Sequence, residues 1–228
     1  MSLDDLIAHS KVWRGRGSEA SVAVVPTGFD ALDRYLPGGG WPQRAITEVF
    51  IDRYGIGELS LLMPALALLS RQTAKKKPWI VWIAPPFIPY APALIRHGLD
   101  LERVLLVHPR SEPKSPKKDT LWAAEQTIRS KASVAVLAWL DAASNIALRR
   151  LQLSAEHYRC WTVLFQPASA LRQSSPAALR LKLSRKFSRI GGQARIDILK
   201  CRGRRPSTLE IELPVLRNER AMAFGETG

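Results

Sequence analysis

Two cysteines in 228 residues, Cys160 and Cys201, are too few for a disulfide scaffold and read as reduced thiols of a reducing compartment. Four histidines (His9, His97, His108, His157) stand far apart with no cysteine or carboxylate at ligand spacing, so no metal site is expected. The dipeptide Gly-Lys occurs nowhere, which removes the lysine that a GxxxxGK[ST] phosphate loop needs. No G-x-S-x-G elbow offers a serine nucleophile. Lys75–Lys77 and Arg149–Arg150 interrupt the most apolar stretches well short of the ~20 residues that cross a bilayer. The opening MSLDDLIAHS carries two acids and no signal-peptide pattern, so a cytoplasmic location is expected.

What is present suits a globular chain. Hydrophobic residues make up 46% and charged residues 24%, which excludes disorder of the whole chain. The length allows one large domain, alone or with appendages. Lysine and arginine number 34 against 20 acids, a net charge of +14. That balance argues for an anionic partner, either nucleic acid or an acidic protein face.

The pattern changes along the chain. Leu3, Leu6, Ile7 and Val12 recur at helical spacing, and Arg14–Ser18 follows as a glycine-containing connector. Val22–Val25, Ala45–Ile51, Pro78–Ala84, Arg103–Pro109, Val134–Leu140 and Trp161–Pro167 read as strands, several of them continuously apolar. Between them lie helical stretches: Thr27–Leu36 with Thr27 as N-cap, Glu58–Thr73, the segment ending at Gly98, Leu121–Ser130 and Asn145–Tyr158. Ser111–Thr120 is expected to be a mobile loop. This alternation predicts an α/β fold with a mostly parallel, doubly covered sheet. After Pro167 the period becomes two: Ala177–Phe187 and Ala194–Arg202 alternate apolar and basic residues around Gly191-Gly192, and STLEIELP adds a third strand. These are expected to be antiparallel.

A strand-to-helix chain of this kind invites a search for a phosphate cradle. The turn in the right place reads Ile51-Asp52-Arg53-Tyr54-Gly55-Ile56-Gly57-Glu58. Glu58 would stand at the helix start and repel a phosphate there, so a structural turn with two glycines is the favoured reading. Asp30 with Asp33 and Asp100 with Glu102 read as solvated charges rather than acid/base pairs. Gly38–Gly40 ends a helix and begins none, so it reads as a terminator.

One signal rises above this background. Between His157 and Leu209, twelve basic residues face one acid, Asp197, and supply eleven of the fourteen net positive charges. The candidate surface comprises Arg180, Lys182, Arg185, Lys186, Arg189, Arg202, Arg204 and Arg205. Alternation is expected to put Arg180, Lys182 and Lys186 on one solvent face. A solvated strand face is the plain alternative to a binding surface; the density of charge favours binding.

Three stretches resemble a known family. TGFDALDRYLPGGGWP, GIGELSLLMPALALLS and WIVWIAPPFIPYAPALIRHGLDLERVLLVHP are similar to ImuA, the RecA-like accessory proteins of bacterial translesion synthesis cassettes. The likeness continues through DTLWAAEQTIRSKASVAVLAW, ALRRLQLSAE and SSPAALRLKLSR, covering roughly residues 20–205. It implies a RecA-like core over 18–167, with basic strands 168–216 completing it, an N-terminal helix and linker over 1–17, and a flexible tail over 217–228. Set against active recombinases, Gly57 takes the place of the phosphate-loop lysine and Glu58 that of its hydroxyl neighbour. Pro86 replaces the catalytic glutamate, Trp139 the metal-linked aspartate, and Gln166 keeps the nucleotide-sensing position. The turn around Gly55, Gly57 and Glu58 is thus a degenerate phosphate loop, with no catalytic residue, cofactor or metal implied. The resemblance implies an adaptor of the DNA-damage (SOS) response that works with an ImuB-like protein and a DnaE-type error-prone polymerase. RecA, through the N-terminal helix, and DNA, through the basic strands, are further partners to consider. Two rival readings are a division inhibitor of the SulA type and a surviving ATP-dependent DNA-binding protein.

Overall fold

The computed structural model describes residues 23–72, 78–109, 116–185 and 193–214. The N-terminal helix, the Gly191-Gly192 turn, Lys186, Arg189 and the tail lie outside them.

Largely apolar runs become the parallel strands, β3 (Ile46–Ile51), β4 (Trp79–Ile83), β6 (Ser133–Trp139) and β7 (Trp161–Pro167) in the interior and β5 (Val104–Val107) at the edge. With β8 (Leu179–Arg185), β9 (Gln193–Cys201) and β10 (Ser207–Glu212) they form one eight-stranded sheet in the order β10-β9-β8-β3-β7-β6-β4-β5. Every pairing from β8 through β3 to β5 is parallel, and β8, β9 and β10 pair antiparallel. The fold is therefore the α/β architecture expected, with antiparallel strands at one side. A separate two-residue ribbon joins β1 (Val24–Val25) to β2 (Trp41–Pro42).

Helices cover both faces. α2 (Glu58–Ser70) buries Leu61, Leu62, Leu66 and Leu69 on one face. α4 (Pro116–Arg129) and α5 (Asn145–Tyr158) bury Ala124, Ile128, Leu148 and Leu151 on the other. Both sides being dry explains why β3, β4, β6 and β7 carry no alternation, whereas β8–β10 alternate because their second face is not covered in this way. Gly28, at φ +83°, lies where a Cβ would stand 2.4 Å from Pro64 of α2, so the close approach requires glycine.

Two expectations change. Thr27 does not cap a long helix: α1 spans only Asp30–Asp33, and its N-cap is Phe29. The Thr27 hydroxyl instead accepts from the Phe29 N–H at 3.0 Å, while the Thr27 N–H donates to Asp33 Oδ1 at 3.0 Å, closing a local polar clasp. Residues 116–120 of the expected mobile loop are the first turns of α4. Pro116 starts the helix, where its missing N–H costs nothing, and Asp119 sits in the first turn, towards the positive end of the dipole. Among the described residues no helix is long and apolar enough to cross a membrane. A short helix, α3 (Ala91–Arg96), follows the loop after β4.

Candidate functional site

In open parallel sheets, ligands gather beyond the carboxyl ends of the strands. Here the turn from β3 to α2 lies at that end, and it is closed by its own side chain. Glu58, the buried first residue of α2, turns back so that Oε1 accepts from the Gly55 N–H at 2.9 Å and Oε2 from the Gly57 N–H at 3.1 Å. Gly55 and Gly57 adopt φ of +79° and +105°, which aims these amides inward. A Cβ on Gly57 would stand 2.6 Å from Leu213 Cδ1, so the chain after β10 closes the turn from outside. A carboxylate therefore occupies the backbone amides that would otherwise face an anion.

The other positions picked from sequence diverge. Pro86 is exposed in the loop after β4. Trp139 is buried, its ring 4.7 Å from Phe165 and 5.9 Å from Trp82. Gln166 is not directed at the turn: its Nε2 donates to Glu48 Oε1 at 2.7 Å, which commits it to a structural network.

That network also corrects the reading of Arg180. Glu48 on β3 is 1% exposed, and its Oε2 accepts from Arg180 Nε at 2.8 Å. Arg180 also donates to the Leu171 carbonyl at 3.3 Å and lies 4.9 Å from the Phe50 ring centre. With its side chain 12% exposed, Arg180 is an interior partner rather than part of a free solvent face. A buried carboxylate needs such a counter-charge, and parallel pairing of β3 with β8 sets Glu48 directly beside Arg180.

The remaining basic residues are distributed as follows. Lys182 Nζ lies 3.2 Å from Asp52 Oδ2, and Arg202 Nη2 3.7 Å from Glu156 Oε1. Arg204 donates to the Arg34 carbonyl at 3.0 Å, and Arg205 is exposed. The Arg185 guanidinium reaches toward Gly57. Asp197 accepts from Arg195 Nε at 3.0 Å and from the Thr208 hydroxyl at 2.7 Å. Burial pushes the Asp197 carboxyl up, but these hydrogen bonds and the charges of Arg195 and Lys182 hold it below its usual value. Lys200 donates to the Ser175 carbonyl at 2.7 Å. Burial, then Arg180 and Arg202, lower its pKa. Three of the acids here (Glu48, Asp52 and Glu156) come from before the basic segment, so a count along the chain overstates the unbalanced charge.

The loop after β4 presents a feature that sequence reasoning passed over. Phe87, Ile88 and Tyr90 are 70%, 88% and 73% exposed. The available signal was three large apolar side chains set among Pro85, Pro86, Pro89 and Pro92.

Fold and turn together define a mostly parallel α/β protein whose first long strand-to-helix turn is occupied by its own carboxylate. No family model matches the chain. Among curated proteins it is similar to Protein ImuA of Caulobacter vibrioides, in strain NA1000 / CB15N and again in strain ATCC 19089 / CIP 103742 / CB 15. Identity is 29% over 143 residues in each case, covering 61% of this chain and 56% of the relative. The chain thus spans little more than half the length of the curated relatives it matches. Among solved structures, the crystal structure of SulA from Pseudomonas aeruginosa is similar at 25% identity and a TM-score of 0.43, covering 54% of this chain and 98% of that one. The likeness to ImuA carried by the sequence motifs is met again in the comparison with curated proteins.

Proposed function

We propose that this chain is a non-catalytic, RecA-like adaptor of SOS mutagenesis that helps to assemble an ImuB-like protein and a DnaE-type error-prone polymerase at damaged DNA. The observation that carries its non-catalytic character is the turn at Gly55–Glu58. Phosphoryl transfer needs a metal clamp and a cation on the terminal phosphates. This turn lacks the lysine and hydroxyl that supply them in a phosphate loop, and its Gly55 and Gly57 amides already donate to Glu58. The partners follow from the similarity to ImuA. In this reading the protein works in the cytoplasm, and RecA is a further candidate partner.

The basic strands are the partner-facing surface in this reading. Lys182 and Arg185 lie along β8 towards its carboxyl end, with Lys186 and Arg189 next in sequence. Arg202, Arg204 and Arg205 lie in the β9–β10 turn by the opposite end of β8, and Arg180 supports β8 from within. A protein partner with an acidic face is favoured over DNA, because the described basic residues are interleaved with Asp52, Glu156 and Asp197. Phosphate binding would weaken steeply with salt through counterion release.

Two measurements test this. The full chain should hydrolyse no ATP above background, with or without single-stranded DNA. Turnover that disappears on changing Glu58 would overturn the non-catalytic reading. The full chain should also retain purified ImuB, and Arg185→Glu, Lys186→Glu and Arg189→Glu together should abolish retention with little change in melting temperature. Retention unaffected by this reversal would sink the surface assignment.

A further inference from the structure

We propose that β5 is a dimer edge: two copies of this chain pair antiparallel through it, across a two-fold axis at Leu105, joining their eight-stranded sheets edge to edge. The two edges of the sheet meet water differently. β10 reads Ser-Thr-Leu-Glu-Ile-Glu, and its alternating glutamates make it a poor template for a further strand. β5 reads Val-Leu-Leu-Val, without charge or proline, and pairs in unbroken register with β4 alone among the described residues. Its composition suits a strand covered on both faces, yet Leu105 and Leu106, which point to opposite faces, are 46% and 38% exposed. Such an unguarded edge gains by being paired.

Backbone direction sets the register. The Val107 carbonyl accepts from the Ala84 N–H at 2.8 Å, so Val107 turns its polar groups towards β4, and by alternation Val104 and Leu106 turn theirs outward. An axis through Leu105 sets Val104 of one copy opposite Leu106 of the other, where the two residues exchange both hydrogen bonds. Leu105 then meets its own counterpart in the closer, non-hydrogen-bonded position, about 4.5 Å between Cα atoms. On that face Leu105 already shares an open groove with Trp79, Val81, Gln126 and Ser130, and the second leucine extends its apolar floor.

Charge complementarity makes a second copy the occupant. Glu102 precedes β5 and His108 follows it, both exposed. The same axis brings each Glu102 towards the His108 of the other copy, so an imidazole N–H meets a carboxylate at both ends of the paired strands. The cations around this edge are already engaged: Arg103 with Asp100 at 3.6 Å, Arg129 with Glu125 at 3.7 Å, and Lys131 over the Tyr158 ring. A net charge of +14 on each copy opposes association, but most of it lies in the segment of β8–β10, at the other side of the sheet. Pairing through β5 leaves the two β8 strands eleven strand spacings apart, roughly 50 Å, which is several screening lengths in physiological salt. Pairing through β10 would bring those charges together.

Sedimentation equilibrium of the full chain tests this. Its mass should rise from one copy to two, and no further, as concentration increases to about 100 μM. Leu105→Lys places two ammonium groups on the axis and should weaken association at least about tenfold, with an unchanged melting curve. Glu102→Lys and His108→Glu should each weaken it, and the two together should restore it, because the pair is only exchanged. Copper-catalysed oxidation should cross-link Leu105→Cys far better than Leu106→Cys, whose counterparts stand diagonally about 7–8 Å apart; the native Cys160 and Cys201 are buried. The proposal is overturned if the parent stays monomeric at that concentration, or if Leu105→Lys associates as well as the parent. It fails equally if the exchanged pair does no better than either single variant, or if the two cysteine variants cross-link alike. A series of masses beyond the dimer, as a head-to-tail contact produces, also overturns it.

Discussion

The turn after β3 and the loop after β4 begin at the same end of two parallel strands of one sheet, with β7 and β6 between them, and they treat their exposed groups in opposite ways. The first turns inward: Glu58 satisfies the Gly55 and Gly57 amides, Leu213 packs on Gly57, and Lys182 holds Asp52 at the rim. The second turns outward, with prolines fixing Phe87, Ile88 and Tyr90 in solvent. The end of the sheet where such folds gather ligands is thus closed at one loop and open at the next. A changed side chain in the closed region should register in stability, and one in the open loop should leave stability almost unchanged.

The largest effect should come from the interior pair on β3 and β8. Glu48→Ala leaves the Arg180 guanidinium without its carboxylate, and urea unfolding should show a loss of about 3–5 kcal/mol. Arg180→Met added to Glu48→Ala should recover part of it. A loss below about 1 kcal/mol would mean that the pair is better solvated than its geometry implies. Glu58→Ala removes the charged acceptor of two amides in a part-buried turn and should cost about 1–3 kcal/mol, with Glu58→Gln milder because its single carbonyl oxygen can still accept. Phe87→Ser should stay within about 0.5 kcal/mol of the parent. Equal losses at Glu58 and Phe87 would erase the contrast between closed and open loops.

A buried thiol offers a pH test of the interior. Burial pushes the Cys160 thiol up to about 11 from 9.0, against smaller opposing effects from Ser133 and Thr162. Its folded pKa lies above the unfolded value, so the stability it contributes is fully present below pH 9 and is lost as pH rises through about 11. Urea midpoints should hold steady on the acid side of that window and decline through it. At neutral pH, iodoacetamide should label Cys160 only after unfolding. A small effect also belongs to the rim: Lys182→Ala breaks one partly exposed ion pair and should cost about 0.2–1 kcal/mol, less at high salt.

Most strands were legible from sequence because the parallel sheet demands continuous apolar runs, and Asn145–Tyr158 and Trp161–Pro167 have the bounds their periodicity implies. The inhospitable character of the β3–α2 turn was legible too, since Glu58 follows Gly57 directly. What could not be read locally was where that carboxylate goes, or that Arg180 finds Glu48 at a separation of 132 residues. Alternation identifies which side of a strand a residue lies on, but not whether a helix or an acid from elsewhere covers that side. Pro116 shows the same limit in miniature: proline reads as a loop signal in the sequence SEPKSPKKDT, yet here it opens a helix.

The position of β3 has a consequence for how the polypeptide is made. Its two neighbours in the sheet, β7 and β8, begin at Trp161 and Leu179, more than a hundred residues later. On the ribosome, this apolar strand must wait without hydrogen-bonding partners until most of the chain has emerged. Assembly then proceeds outward from a late, non-local pairing, a topology that folds slowly and leaves adhesive edges exposed meanwhile. A nascent chain stopped after Tyr158 should therefore remain protease-sensitive and depend on chaperones, whereas one extended past Leu213 should acquire protection throughout the sheet.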